Sequence, residues 1–109
     1  MNFEDYQKKS RETVFYPNPD NNFVYPIIGL TGEAGEVANV IKGFLKEGQG
    51  AINEKNKERV AKELGDLLWY IAQLATEFGL SLDKIAESNI EKIMLRKKNG
   101  EFSKFGDKK

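Results

Sequence analysis

Between Glu54 and Phe78, apolar side chains recur every three or four positions: Val60, Leu64, Leu67, Leu68, Ile71, Leu74, Ala75 and Phe78. At about 100° per residue these fall within an arc of roughly 120°, so the stretch predicts one long amphipathic helix, with Lys62, Trp69 and Gln73 pointing away from the stripe. Asn53 suits its N-cap and Gly79 its stop. A second apolar face, Leu30, Ala34, Val37, Ile41, Phe44 and Leu45, predicts a helix that starts near Pro26 and runs to about Glu47, where Gly48 and Gly50 break it. A shorter helix is expected from Phe3 to Thr13, closed by the loop YPNPDNN, and a fourth from a Ser81 cap to about Lys98, before Asn99-Gly100. No segment reads as a convincing strand. The expectation is an all-α chain: one compact four-helix-bundle-like domain over residues 1–109, with an irregular C-terminal tail, GEFSKFGDKK, that lacks periodicity.

The polar positions break this pattern in one place. Glu33 falls inside the apolar face of the second helix and Glu36 at its border, while Glu63 lies at the edge of the third helix's arc with Asp66 about 60° further round. An ionised side chain on a buried face costs several kcal/mol unless it is paired or bound to metal. Gly29, Gly32, Gly35 and Gly43 burden the same helix, at about 1 kcal/mol each relative to alanine where exposed. Glycine there lets a neighbouring helix or a ligand approach the backbone closely. Within each acidic pair the three-residue spacing places both groups on one side, about one turn apart. Packing of the two helices would bring four carboxylates together, and like charges so close call for protons or hard cations. A single Glu-x-x-Glu is usually a solvated helix face; two matched pairs beside apolar stripes are not explained that way.

The residue inventory narrows the chemistry. The chain has no cysteine and no histidine, which removes disulfides, thiolate nucleophiles, imidazole bases and zinc sites built on either. Oxygen-only donors point to Mg2+ or Mn2+ rather than zinc. The formal net charge is +0, so no bulk basic field argues for nucleic acid. No apolar run approaches the roughly 20 residues needed to cross a bilayer, and MNFEDYQKKS is not a signal peptide, so a cytoplasmic protein is expected.

Two further groups of residues have alternative readings. Trp69 lies opposite the main stripe and suggests a second packing surface or an oligomer interface rather than a base-stacking role. Asn89, Lys92 and Arg96 share one side of the fourth helix. They offer an amide, a point charge and a fork of donors, which suits a polyphosphate, but basic residues near a helix C-terminus also simply complement its dipole.

The segments GLTGEAGEVANVIK, ELGDLLWYIAQLA and ESNIEKIMLRKKNG resemble MazG-like nucleotide pyrophosphohydrolases of the all-α NTP pyrophosphatase superfamily. The resemblance runs from about Tyr25 to Arg96 and rests on an ExxE motif, Glu33–Glu36, and an ExxD motif, Glu63–Asp66, with 26 residues between them. It implies cleavage of a nucleoside triphosphate to monophosphate and pyrophosphate, with Glu33, Glu36, Glu63 and Asp66 as the catalytic and Mg2+-holding set. It also implies that Asn89, Lys92 and Arg96 contact phosphates and that the chain forms a homodimer or homotetramer. Gly32 stands where many relatives have another glutamate, and the tail ends FGDKK where some small members carry a GSGDNR-like ending. The competing reading is a non-catalytic helical module in which metal serves assembly. Phe3, Gln7, Phe15 and Tyr16, on the first helix and the loop after it, are candidate neighbours of the base.

Overall fold

A computed structural model describes residues 1–100, so the expectation for the tail beyond Gly100 lies outside the described residues. Four helices follow in order: α1 (Phe3–Arg11), α2 (Val24–Phe44), α3 (Glu54–Glu77) and α4 (Leu82–Lys98). Among the described residues there is no strand, and the all-α expectation holds.

Local chemistry sets the boundaries. The side chains of Asn2, Asn53 and Ser81 accept from the backbone N–H groups of Asp5, Asn56 and Lys84, capping α1, α3 and α4. Ahead of α2, Asn22 Oδ1 accepts from Tyr25 N–H at 3.0 Å. Pro26 sits in the first turn, where its missing N–H is one of the donors a helix leaves unpaired anyway. At the end of α3, Gly79 takes φ +67°; its N–H bonds to Thr76 and the N–H of Leu80 to Ala75, closing the last turn. The second helix stops sooner than expected. After Phe44 the chain tightens into 3-10 turns over Leu45–Ala51, interrupted at Gly48 with φ +63°. Buried Asn56 fastens this connector to α3, donating from Nδ2 to Ala51 O at 2.8 Å and to Glu47 Oε2 at 3.2 Å.

The connector folds α2 back along α3, and this antiparallel pair is the largest packing in the chain. Gly29 meets Tyr70 near one end, where a Cβ would overlap the tyrosine ring; Phe44 meets Arg59 near the other. Of the α2 glycines, Gly29 alone is needed for close approach, since Gly32, Gly35 and Gly43 face open space.

The opposite side of α3 differs most from the periodicity argument. Gln73, expected to point away from the core, is fully buried against α1. Its Nε2 donates to Ser10 Oγ at 2.8 Å and its Oε1 accepts from Arg11 Nη1 at 3.1 Å. Gln7 extends this polar seam, donating to Thr76 Oγ1 and Leu80 O and accepting from Leu82 N–H. Meanwhile Leu64 and Phe78, members of the expected stripe, are exposed. The helix thus has two packed sides, one apolar and one hydrogen-bonded. Helix α4 packs on α1.

Candidate active site

Glu33 extends from α2 toward Glu63 and Asp66 of α3. Each of the three offers a carboxylate oxygen, and these oxygens lie within 4.8 Å of one another. Glu33 and Glu63 are half-buried, whereas Asp66 and Glu36 are exposed. Glu36 is outside the close trio, yet its charge still acts on Glu33. Burial pushes the Glu33 carboxyl above its ordinary value, followed by contact with Glu63 and the charges of Asp66, Glu63 and Glu36. Its Oε2 is buried with no hydrogen-bond partner.

Those properties suit a hard divalent cation. The donors are all oxygen, the charges repel without a counter-ion, and a buried acceptor has no donor to satisfy it. Glu33, Glu63 and Asp66 are the residues that could hold one.

Beside the trio is a pocket of about 370 Å³ lined by Thr13, Phe15, Glu33, Asp66, Trp69 and Tyr70. Its far wall is aromatic. Phe15 stacks on Trp69 with centroids 5.4 Å apart and planes 19° from parallel, and Tyr70 meets Trp69 edge-on at 5.1 Å. Trp69 Nε1 donates to Thr13 Oγ1 at 2.8 Å. The tryptophan's second packing surface is therefore the chain's own segment after α1, from Thr13 to Tyr16. Burial raises the Tyr70 phenol, with the charges of Tyr25, Glu33 and Asp66 adding to it; burial and Asp66 do the same to Tyr6. Both phenols belong to the surroundings of the acidic cluster, and neither was singled out for it in the sequence. Tyr70 had a signal, one helical turn beyond Asp66. Tyr6, on another helix, had none.

The fourth helix lies elsewhere in the single chain. Asn89 and Lys92 line a groove of about 610 Å³ with Leu80, Ser81, Lys84 and Ser88, separate from the pocket holding Glu33 and Asp66. Arg96 is one turn beyond Lys92 and half-buried.

A helical hairpin that gathers acidic groups at the mouth of an aromatic-walled pocket defines an all-α protein with a candidate cation and ligand site. Comparison with protein families matches residues 27–100 to the MazG nucleotide pyrophosphohydrolase domain, and the chain belongs to that family. It is also similar to the Gene 37 protein of Mycobacterium phage L5, with 35% identity over 112 residues, covering 98% of each chain. No solved structure matches.

Proposed function

We propose that this chain is a Mg2+-dependent nucleoside triphosphate pyrophosphohydrolase that converts (d)NTP to (d)NMP and pyrophosphate. The observation that carries the reading is the convergence of Glu33, Glu63 and Asp66, in a chain of this family, around a buried oxygen that lacks a partner. Glu36, one turn from Glu33 and exposed, completes the set of four by turning its side chain inward. A divalent cation held by these carboxylates would supply positive charge against the phosphate oxygens. A carboxylate of the set that is not consumed in holding the cation orients the attacking water and accepts its proton. The aromatic wall, Phe15 and Trp69, takes the flat face of the base.

Oligomerisation is part of the reading. The described chain has a radius of gyration of 16.7 Å, against roughly 13 Å for a well-packed chain of about 100 residues. Ile41, Leu45, Ile52 and Leu64 on the hairpin, and Ile90 and Met94 on α4, are exposed. A dimer or tetramer would cover these faces, and Asn89, Lys92 and Arg96 of a second copy would then reach the triphosphate. Among the described residues no helix is long and apolar enough to cross a membrane, and we assign the protein to the cytoplasm.

The test is pyrophosphate release, scored against phosphate, from a panel of (d)NTPs with Mg2+ and with excess chelator. Pyrophosphate that appears with metal and stops with chelator is the expected result. A protein that binds Mg2+ and oligomerises without releasing pyrophosphate would be an assembly module instead.

A further inference from the structure

Phe15 forms a wall of the candidate pocket, yet little of its own burial holds it there: the residue is 65% exposed. Its neighbour Tyr16 is the opposite, 4% exposed and fastened by its hydroxyl, which donates to Glu77 Oε2 at 2.6 Å. The same Glu77 accepts from Arg11 Nη2 at 2.9 Å, from Asp20 N–H at 3.0 Å and from Asn22 N–H at 2.9 Å. One carboxylate thus ties together the end of α1, the tyrosine after Phe15 and the far side of the loop. The loop needs such an anchor, because Asn18 and Asp20 both take left-handed backbone, φ +56° and +76°, which non-glycine residues adopt at a cost.

Glu77 lies three turns along α3 from Asp66, about 16 Å of helix rise, so it does not reach the acidic cluster. Its side chain is 1% exposed, and all its bonds go to the loop and to α1. We infer that Glu77 is a positioning residue for substrate recognition: by clamping the loop of residues 16–22 it sets Phe15 against Trp69 and so fixes the aromatic wall on which a nucleobase rests. The base-binding half of this statement rests on the proposed nucleotide reading; the clamp itself does not.

Trp69 is the single tryptophan and lies under Phe15, so its fluorescence reports the wall directly, with no nucleotide present. In folded Glu77→Gln the emission of Trp69 should change in the same direction as in Phe15→Ala. With a nucleoside triphosphate, KM should rise about tenfold in each variant while kcat stays within about twofold, the mark of lost binding rather than lost chemistry. The double variant should be no worse than Phe15→Ala alone, because Glu77 acts through the residue already removed. Unchanged emission and KM in folded Glu77→Gln, or additive effects in the double variant, would overturn the inference. A merely structural Glu77 would lower the melting temperature and move neither. If Glu77→Gln does not fold, Tyr16→Phe removes one arm of the clamp and is read in the same two ways. Wild-type protein that turns over no nucleotide would instead remove the functional reading, while the emission comparison still decides the clamp.

Discussion

Glu77 and Glu33 are both carboxylates withdrawn from water, yet they titrate in opposite directions. Burial alone would raise Glu77, but donation by Tyr16, by the backbone N–H groups of Asn22 and Asp20, and by Arg11 outweighs it and brings the group to about 2. Glu33 receives burial too, and then more negative charge from Glu63, Asp66 and Glu36. One site has a donor for every need of its anion; the other has an anion whose neighbours make it worse. The first arrangement stabilises a fold. The second is stabilised only when something positive, a proton or a cation, is brought from outside.

The sharpest break of the comparison is to neutralise each in turn. Glu33→Gln should abolish pyrophosphate release, by about a hundredfold or more, because a member of the site that balances developing charge is lost. In metal-free buffer the same variant should melt no earlier than the wild type, since a repelling charge has gone. Thermal melts in chelator decide this: strong destabilisation of metal-free Glu33→Gln would show that Glu33 is an ion-pair partner after all.

In stability, Glu77→Gln should behave in the reverse way. A folded value of about 2 against an ordinary 4.5 corresponds to about 3 kcal/mol of stability. Because the folded value is depressed, that stability is present above about pH 4.5 and is lost as the pH falls toward 2. Urea midpoints for wild type and variant should therefore lie far apart at neutral pH and converge in acid. A gap that does not depend on pH would mean that packing, not charge, holds the clamp.

Why one carboxylate was legible in the sequence and the other was not follows from what each touches. Glu33 stood out because its anomaly is local: an acid inside a periodic apolar face is visible from its own helix. The caps Asn53 and Ser81 and the stop at Gly79 were legible for the same reason, since their partners lie within a few residues. Glu77 draws its donors from positions 55 to 66 residues away, and nothing in its neighbourhood marks it. Gln73 was misplaced because periodicity treats a polar side chain as solvent-facing, whereas Ser10 and Arg11 satisfy it in the interior. The early end of α2 depended on Gly48 and on Asn56 gripping the connector from the next helix.

If Glu33 and its neighbours need positive charge from outside, cations beyond the metal sharpen the contrast further. Lys92→Ala and Arg96→Ala should each cut turnover or raise KM by about tenfold to a hundredfold, the worth of a charged hydrogen bond at roughly 1.5–3 kcal/mol. The fold and metal binding should be unaltered. Residues that only complement the dipole of α4 would change stability by under about 1 kcal/mol and leave kinetics alone. Steady-state kinetics beside a melting curve for each variant separates the two, and unchanged kinetics in both would remove α4 from the site.

The smallest effect, and the finest probe of the satisfied carboxylate, is expected from Tyr16→Phe. The ring stays in place, stacked on Tyr25 at 5.1 Å, but Glu77 loses the shortest of its four donated bonds. Arg11 Nη1 loses an acceptor as well, though it keeps Gln73 Oε1. A net cost of about 1–1.5 kcal/mol at neutral pH follows from one such bond. Its pH dependence carries more information than its size. With one donor gone Glu77 titrates at a higher pH, so the variant's acid transition should begin earlier than that of the wild type. On the alkaline side, burial and the bond to Glu77 raise the wild-type phenol to about 12. Stability from a raised group is present below the ordinary value near 10 and is lost as the pH climbs through 12, and phenylalanine has no such term. The wild-type advantage should therefore be widest between about pH 5 and 10 and shrink at both ends. An advantage that stays flat from acid to alkali would show that the hydroxyl contributes shape alone, and that Glu77 is satisfied without it.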